Sequence, residues 1–370
     1  MIFRAAERHV YKVERSMGIK MEKKIKIGRR YVGEGEKTFV VAEVSANHLQ
    51  DYDRAAAIIE AAKEAGADAV KLQTYMPDTI TLDCDNDYFQ ITQGTIWDGT
   101  TLHKLYETAY TPWEWQPKLM KLANELGMEC FSSPFDETAV DFMEEMDMPA
   151  YKVASFEIND IPLIRKIARI GKPVIFATGI AYLEDIERAV KACREEGNDQ
   201  IILLKCTSTY PSPYEDMNLK VIPNMAEVFS CITGLSDHSM GTAAAVASVA
   251  LGAKMVEKHL TLSRADGGPD AAFSMEPAEF KQMVTDIRIA EKALGKVTYE
   301  LTEKQKKSRE DGRSLFVVKD MKAGEEFSKE NVRSIRPAFG MHTMYYDEIL
   351  GKRAKEALSK GTPLDWKYIE

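Results

Sequence analysis

From Phe39 onward the chain repeats one grammar: a short apolar run rich in β-branched residues ends in polar ones, a loop follows, and then comes a segment of helical period. Eight runs fit: FVVAEV (39–44), AVKLQ (69–73), ECFSS (129–133), YKVAS (151–155), VIFAT (174–178), IILLKC (201–206), ITGLS (232–236) and MVEKH (255–259). The runs predict strands and the intervening segments predict helices. DRAAAIIEAAKEAG repeats its apolar positions at three and four residues. TPWEWQPKLMKLANELG opens with Thr111 as expected N-cap, Pro112 at the first helical position and Glu114 completing a capping box. Gly66, Gly127, Gly197 and Gly252 stand where helices should end in a left-handed residue. Alternating strands and helices imply parallel pairing through right-handed crossovers, and eight such units close into a (β/α)8 TIM barrel. An open doubly wound sheet fits less well. Polar residues sit at the C-terminal end of almost every run, as a shared barrel mouth requires, and no G-x-G-x-x-G follows the first run.

The flanks read differently. Residues 1–36 are highly charged without a clear strand and form an expected N-terminal extension. Met21 opens a plausible alternative start, MEKKIKIGRR, so the first twenty residues read as dispensable. The barrel should occupy 37–295 and a polar, solvated linker 296–311. In 312–370, the runs RSLFVVKD and VRSIRPAF among turn glycines predict a small, mainly β domain. About 60 residues is thin for independent stability, so this module should dock on a barrel, its own or a partner's.

Composition narrows the functional classes. A hydrophobic fraction of 45% supplies a large core, and a formal net charge of −9 argues against nucleic acid or an anionic membrane as main partner. Five scattered cysteines without a C-x-x-C pair give neither a disulfide framework nor zinc-cluster spacing. No apolar run nears the ~20 residues a membrane span needs, and no signal-peptide pattern opens the chain. A cytoplasmic protein with reduced thiols is expected.

The chemistry gathers at the run ends. His238 (GLSDHS) and His259 (EKHL) close neighbouring runs. A lone strand-end histidine is more often an ordinary satisfied polar residue. Two in register, in a chain with six histidines, point to one divalent metal with positions left open for substrate and water. Lys71 and Lys152 would face the same mouth, where two fixed ammonium groups suit a phosphate plus a carboxylate. The competing reading is a structural ion pair with Glu43, Glu157 or Glu257. Hydroxyls at Ser132, Ser133, Ser155, Thr178, Thr207, Ser208 and Ser236 would complete an anion cradle, though each alone could merely cap a helix. Glu43 could move a proton and Asp237 could orient or deprotonate a neighbour. Strand-end acids such as these, with Glu157, Glu257 and Asp270, are otherwise capping or salt-bridging groups.

Ten ordered motifs then carry a resemblance: VAEVSANH, GADAVKLQTY, FSSPFDETAVDF, PAYKVASFE, KPVIFATG, KCTSTYPSP, GLSDHS, VEKHLTL, GGPDAAFS and NVRSIRPAFG. From about residue 38 to the C-terminus the chain resembles the sialic acid synthases, in which a barrel precedes an antifreeze-like SAF domain. Within that family it is similar to the pseudaminic branch. The likeness rests on SANH in place of the glycine-valine form of the sialic branch, on TYMPDTITLDCDNDYF and GTIWDGTTLHKLYETAYTPWEW, and on KCTSTYP. The resemblance implies an enzyme, a transferase joining phosphoenolpyruvate to an open-chain amino sugar. It implies manganese, or magnesium or cobalt, on His238 and His259, and Glu43 near the sugar; in the mechanism that follows, a carboxylate such as Glu43 or Glu157 would steer the water. Lys71, Lys152, Ser133, Ser155, Thr178, Ser208 and Ser236 would surround phosphoenolpyruvate, and Asn47, Gln73, Tyr210 and Asp270 the sugar. Arg336 would reach in from the other subunit of a swapped homodimer. Ala177 and Ser208 depart from the sialic branch, which expects serine and asparagine there. Synthesis of N-acetylneuraminate or legionaminate is the rival enzyme reading, and a non-catalytic carbohydrate-binding protein the rival from another class.

Overall fold

The computed structural model describes residues 23–370, so the expectation for the first twenty lies outside the described residues. After Gly295 the chain divides into two compact units. In the first, a hairpin of β1 (Lys24–Ile27) and β2 (Arg30–Gly33) precedes eight parallel strands. These are β3 (Phe39–Glu43), β4 (Ala69–Thr74), β5 (Glu129–Pro134), β6 (Tyr151–Val153), β7 (Val174–Ala177), β8 (Ile201–Cys206), β9 (Ile232–Asp237) and β10 (Met255–His259). They close as a barrel in sequence order, β10 pairing with β3. Each of the eight predicted runs is one of these strands. YKVAS stops early, because Ser155 enters a 3-10 turn, Ser155–Glu157, that redirects the chain at the mouth.

The strands are nearly all buried along their whole length, as parallel strands covered on both faces must be. Burying a side chain such as Phe131, Phe176 or Leu72 stabilises the fold by roughly 1.5–3 kcal/mol each. Gly234 marks where β9 lies too close to β10 for a side chain: a Cβ there would stand 2.3 Å from the Met255 carbonyl oxygen. Around the barrel run α1 (Tyr52–Ala65), α2 (Gln116–Glu125), α3 (Glu137–Glu145), α4 (Ile161–Arg169), α5 (Leu183–Glu195), α6 (Val221–Phe229), α7 (Ala243–Ala250) and α8 (Pro277–Leu294). Asp51, Asp136 and Asp160 cap α1, α3 and α4 through backbone amides, each cap worth about 1 kcal/mol. The four glycines expected to end helices all have positive φ.

Three expectations change. Thr111 does not cap α2: a 3-10 turn, Trp113–Trp115, comes first, and the buried Thr111 hydroxyl lies 3.2 Å from His48 Nε2. Aromatic packing sets this start, with Trp113 stacked on Phe142 at 4.6 Å and Trp115 edge-on to His48. The stretch read as a strandless extension contains the β1–β2 hairpin, whose Ile25, Ile27 and Val32 join the barrel core. Arg30 pairs with Asp68 and Arg29 with Glu129, at the starts of β4 and β5, so the hairpin covers the N-terminal end of the barrel. Its alternation of lysine and isoleucine was a strand signal too short to weigh against the surrounding charge.

The third lies in the second unit, where the polar stretch after Gly295 is not wholly extended. Thr302 and Gln305 form a capping box on an exposed helix, Glu303–Ser308. Beyond it, β11 (Ser314–Val317) and β12 (Val332–Ile335) pair antiparallel, and isolated bridges tie in later segments. Leu315, Val317, Phe327, Val332, Ile349 and Leu364 make this unit's own small core. No described helix is long and apolar enough to cross a membrane.

Candidate active site

Barrel register sets the central chemistry. Glu43 on β3 is level with Lys71 on β4 and with His259 on β10. Lys71 Nζ lies 2.9 Å from Glu43 and 3.3 Å from Glu257, and Lys152 Nζ donates to both oxygens of Glu257 at 2.8 and 3.1 Å. Ser236 donates to Glu257 at 3.1 Å, and Lys71 reaches Ser133 at 3.4 Å. A chain Glu43–Lys71–Glu257–Lys152 therefore crosses the barrel interior, and all four groups are buried. Burial pushes the Glu43 carboxyl up to about 7 against the pull of Lys71. Burial also opposes charge on Glu257, yet Lys152 and Lys71 hold it well below the ordinary carboxylate range. Burial also lowers Lys152 against the pull of Glu257; while both lysines stay charged, the chain is neutral with Glu43 ionised and gains one positive charge when Glu43 takes up a proton, a setting for an anion. The ion-pair reading of the lysines and the anion reading thus describe the same groups.

His238 and His259 stand side by side, ring centroids 5.3 Å apart. His238 Nδ1 lies 3.1 Å from the Thr207 carbonyl, which places a proton there; burial opposes charge on the ring, but Cys206 and that carbonyl raise it above the ordinary imidazole value, so Nε2 becomes a free lone pair only when the ring gives up its second proton. His259 Nδ1 is buried without a partner. Burial, with His238 and Lys71 nearby, keeps His259 well below the ordinary imidazole value, so its ring is neutral. One oriented imidazole and one unpartnered imidazole fit a divalent cation. Among the described residues no cluster of three or more His, Cys, Asp or Glu side chains suits a metal. Asp237 is not available as a base: it accepts from the fully buried Lys258 at 2.7 Å and from Ser239.

The hydroxyls split into two groups. Ser155 accepts from the Gly179 amide at 3.1 Å, and Ser208 lies 3.8 Å from Cys206 Sγ. Gly179 makes this gathering possible, since a Cβ there would fall 2.0 Å from Ser208 Oγ and 2.8 Å from Ser155 Oγ. Burial raises the Cys206 thiol, but His238 at 3.8 Å, Ser155 and Lys152 bring it down to about 6. Thr178, by contrast, donates its proton to the Leu204 carbonyl at 3.1 Å, so in this conformation it offers an approaching anion no donor.

On the expected sugar side, Asn47 donates to the Leu260 carbonyl and to Ser274, leaving Oδ1 unpartnered. The half-buried Asp270 accepts from the Ala46 amide at 3.3 Å, and burial lifts its carboxyl to about 6. Tyr210 packs on His238 at 4.5 Å and on Phe273 at 4.9 Å. Trp97, from the long loop between β4 and α2, tilts onto Tyr210 at 5.4 Å and donates to the Pro269 carbonyl. Gln73 is half-buried at the end of β4, and Glu157 ends the turn after β6 with its carboxyl raised to about 7 by burial. Arg336 lies exposed just past β12 in the second unit. Gly179, Cys206, Lys258 and Trp97 were not singled out from sequence. For Gly179 the signal was the glycine directly after the run VIFAT, and for Trp97 the aromatic in a block already tied to the sugar.

A closed parallel barrel with an acid–lysine chain and paired imidazoles at its C-terminal mouth has the make-up of a barrel enzyme. The chain belongs to the NeuB family, whose model matches residues 58–299, and residues 312–370 match the SAF domain. It is 47% identical over 329 residues to pseudaminic acid synthase from Campylobacter jejuni, spanning 89% of this chain and 96% of that protein. Identity to pseudaminic acid synthase from Helicobacter pylori is 45% over 332 residues, spanning 90% and 97%. The crystal structure of N-acetylneuraminic acid synthetase from Leptospira borgpetersenii in complex with citrate superposes with a TM-score of 0.69 at 28% identity. That match covers 78% of this chain and 96% of the other.

Proposed function

We propose that the chain condenses phosphoenolpyruvate with 2,4-diacetamido-2,4,6-trideoxy-altrose to give pseudaminic acid and phosphate. The observation that carries the chemistry is the chain Glu43–Lys71–Glu257–Lys152 lying beside His238 and His259. Identity of 45% and 47% to two pseudaminic acid synthases supports the choice of sugar.

Lys71 and Lys152 would hold the carboxylate and phosphate of phosphoenolpyruvate, exchanging their carboxylate partners in part for the substrate, with Ser133, Ser155, Ser208 and Ser236 beside them. Asn47, Gln73, Tyr210 and Asp270 would orient the sugar. A divalent cation on His238 and His259, manganese in the first instance, would supply Lewis-acid polarisation of the sugar aldehyde oxygen. C3 of phosphoenolpyruvate forms a bond to the aldehyde carbon, and the aldehyde oxygen takes up a proton. Water adds to C2, giving its proton to a carboxylate, and cleavage of the C2–O bond releases phosphate. Glu43 and Glu157, each held near 7, suit the proton-handling step at neutral pH.

A swapped homodimer fits the same reading, with Arg336 of the partner subunit completing the sugar site. Phe156, Ile180, Tyr182 and Tyr214, with Leu183 at the start of α5, leave exposed apolar surface beyond the C-terminal ends of the strands, which supports a covering partner. Five free cysteines support a reducing compartment, the cytoplasm.

Phosphate release from phosphoenolpyruvate, with manganese or with chelator, tests the reading against 2,4-diacetamido-2,4,6-trideoxy-altrose and N-acetylmannosamine in parallel. Chelator-sensitive release with the trideoxy sugar alone is expected. Release with N-acetylmannosamine alone would overturn the sugar assignment, and undiminished release from metal-stripped protein would overturn the metal's role.

A further inference from the structure

Ser45 carries two penalties that the fold does not explain. Its backbone is left-handed, with φ of 49°, a conformation that glycine adopts freely and side-chain-bearing residues avoid. Its hydroxyl is buried, the residue being 1% exposed, and Oγ has no hydrogen-bond partner. Glycine at this position would remove both penalties and break no side-chain hydrogen bond. Strain and an orphaned polar atom coinciding on one residue are the marks of a group kept for a ligand. Strain is also concentrated here: Ser45, Leu49 and Gln50 are three of the six non-glycine residues with positive φ among the described residues.

The place is informative. Ser45 follows Glu43 by two residues, just beyond the ladder that Val44 extends by donating to the Lys71 carbonyl. The next amide, Ala46, holds Asp270, and Asn47 beyond it has an unpartnered buried Oδ1. Glu43 Oε1 is also buried without a partner, its other oxygen facing Lys71. Within five residues there are thus three buried oxygens able to accept a hydrogen bond. Phosphoenolpyruvate, an anion built of acceptors, could accept from the Ser45 hydroxyl but cannot satisfy Asn47 Oδ1 or the free oxygen of an ionised Glu43, which only accept. A molecule bearing hydroxyl and amide N–H donors can.

We propose that Ser45 contacts the amino sugar and helps determine which sugar is accepted, an inference that rests on the synthase reading for the identity of that sugar. The test compares wild-type protein with Ser45→Ala, which removes the hydroxyl and keeps the strain, and Ser45→Gly, which removes both. Both variants should lose about tenfold in kcat/KM for the sugar, the scale of one hydrogen bond, with the KM for phosphoenolpyruvate unchanged. Ser45→Gly should also melt a few degrees above Ser45→Ala in ligand-free protein, which a purely structural serine would not combine with a sugar-selective loss. Wild-type kcat/KM for the sugar in both variants would overturn the proposal, as would equal losses toward both substrates. The thermal shift caused by sugar alone separates the two readings. If wild-type protein turns over no sugar yet shows a sugar-induced shift that both variants lose, the synthase reading fails and the Ser45 contact stands.

Discussion

At the N-terminal end of the barrel, Asp68 accepts from Arg30 at 2.7 Å, from Arg288 at 2.9 Å and from the Val40 amide at 3.0 Å. Glu129 accepts from both the amide and the guanidinium of Arg29 at 3.1 Å. At the C-terminal end, buried oxygens of Glu43, Ser45, Asn47 and Glu157 and a buried nitrogen of His259 have no partner. One end satisfies its buried polar groups with its own residues. The other leaves several of them without a partner among its own residues. The difference separates stability from function along a single barrel, and places the cost of function at the ends of β3, β6 and β10.

Substitutions at the two ends should therefore fail in different ways. Lys71→Met should lower turnover on the order of 10³-fold, ~4 kcal/mol in the barrier, while circular dichroism reports a folded barrel. Turnover within threefold of wild type would remove the anion cradle from the account. Asp68→Ala should do the reverse, costing about 1–3 kcal/mol in urea unfolding because Arg30, Arg288 and the Val40 amide lose a shared partner, with kcat of the folded protein unchanged. An equal loss of kcat there would break the division between the two ends.

Glu157→Gln offers a finer test through pH. Burial raises Glu157 from 4.5 to about 7, so between these values the folded state keeps a proton that the unfolded state has released. This residue's contribution thus makes stability fall as pH rises from 4.5 to 7 and level off above. Glutamine should flatten that slope, read as denaturant midpoint against pH, and an unchanged slope would assign the titration elsewhere. The smallest effect belongs to the scaffold: Asp136→Ala removes the α3 cap and should cost about 1 kcal/mol, with no change in substrate affinity.

Much of this division was legible in the amino-acid order. The eight barrel strands appear as apolar runs because strands buried on both faces cannot hide a second pattern, and the polar residues closing each run are those gathered at the mouth. Pairing was harder. Lys152 and Glu257 lie 105 residues apart, and only barrel closure makes them partners. Conformation was invisible: nothing in SANH announces that Ser45 is left-handed, and nothing in GLSDHS says that Asp237 belongs to Lys258. Thr178 reads as a donor at a strand end, but whether its proton is free depends on the Leu204 carbonyl across the ladder. Local pattern reports burial, whereas hydrogen-bond partners are set by register.

The central claim is that the mouth is a cationic cradle awaiting an anion and the opposite end is not. Calorimetric titration of phosphoenolpyruvate, with manganese present, into wild-type protein, Lys71→Met and Asp68→Ala tests it most directly. The account predicts saturable binding to wild type and to Asp68→Ala with similar Kd, and binding weakened by at least tenfold in Lys71→Met. Equal affinity in Lys71→Met and wild type would contradict it.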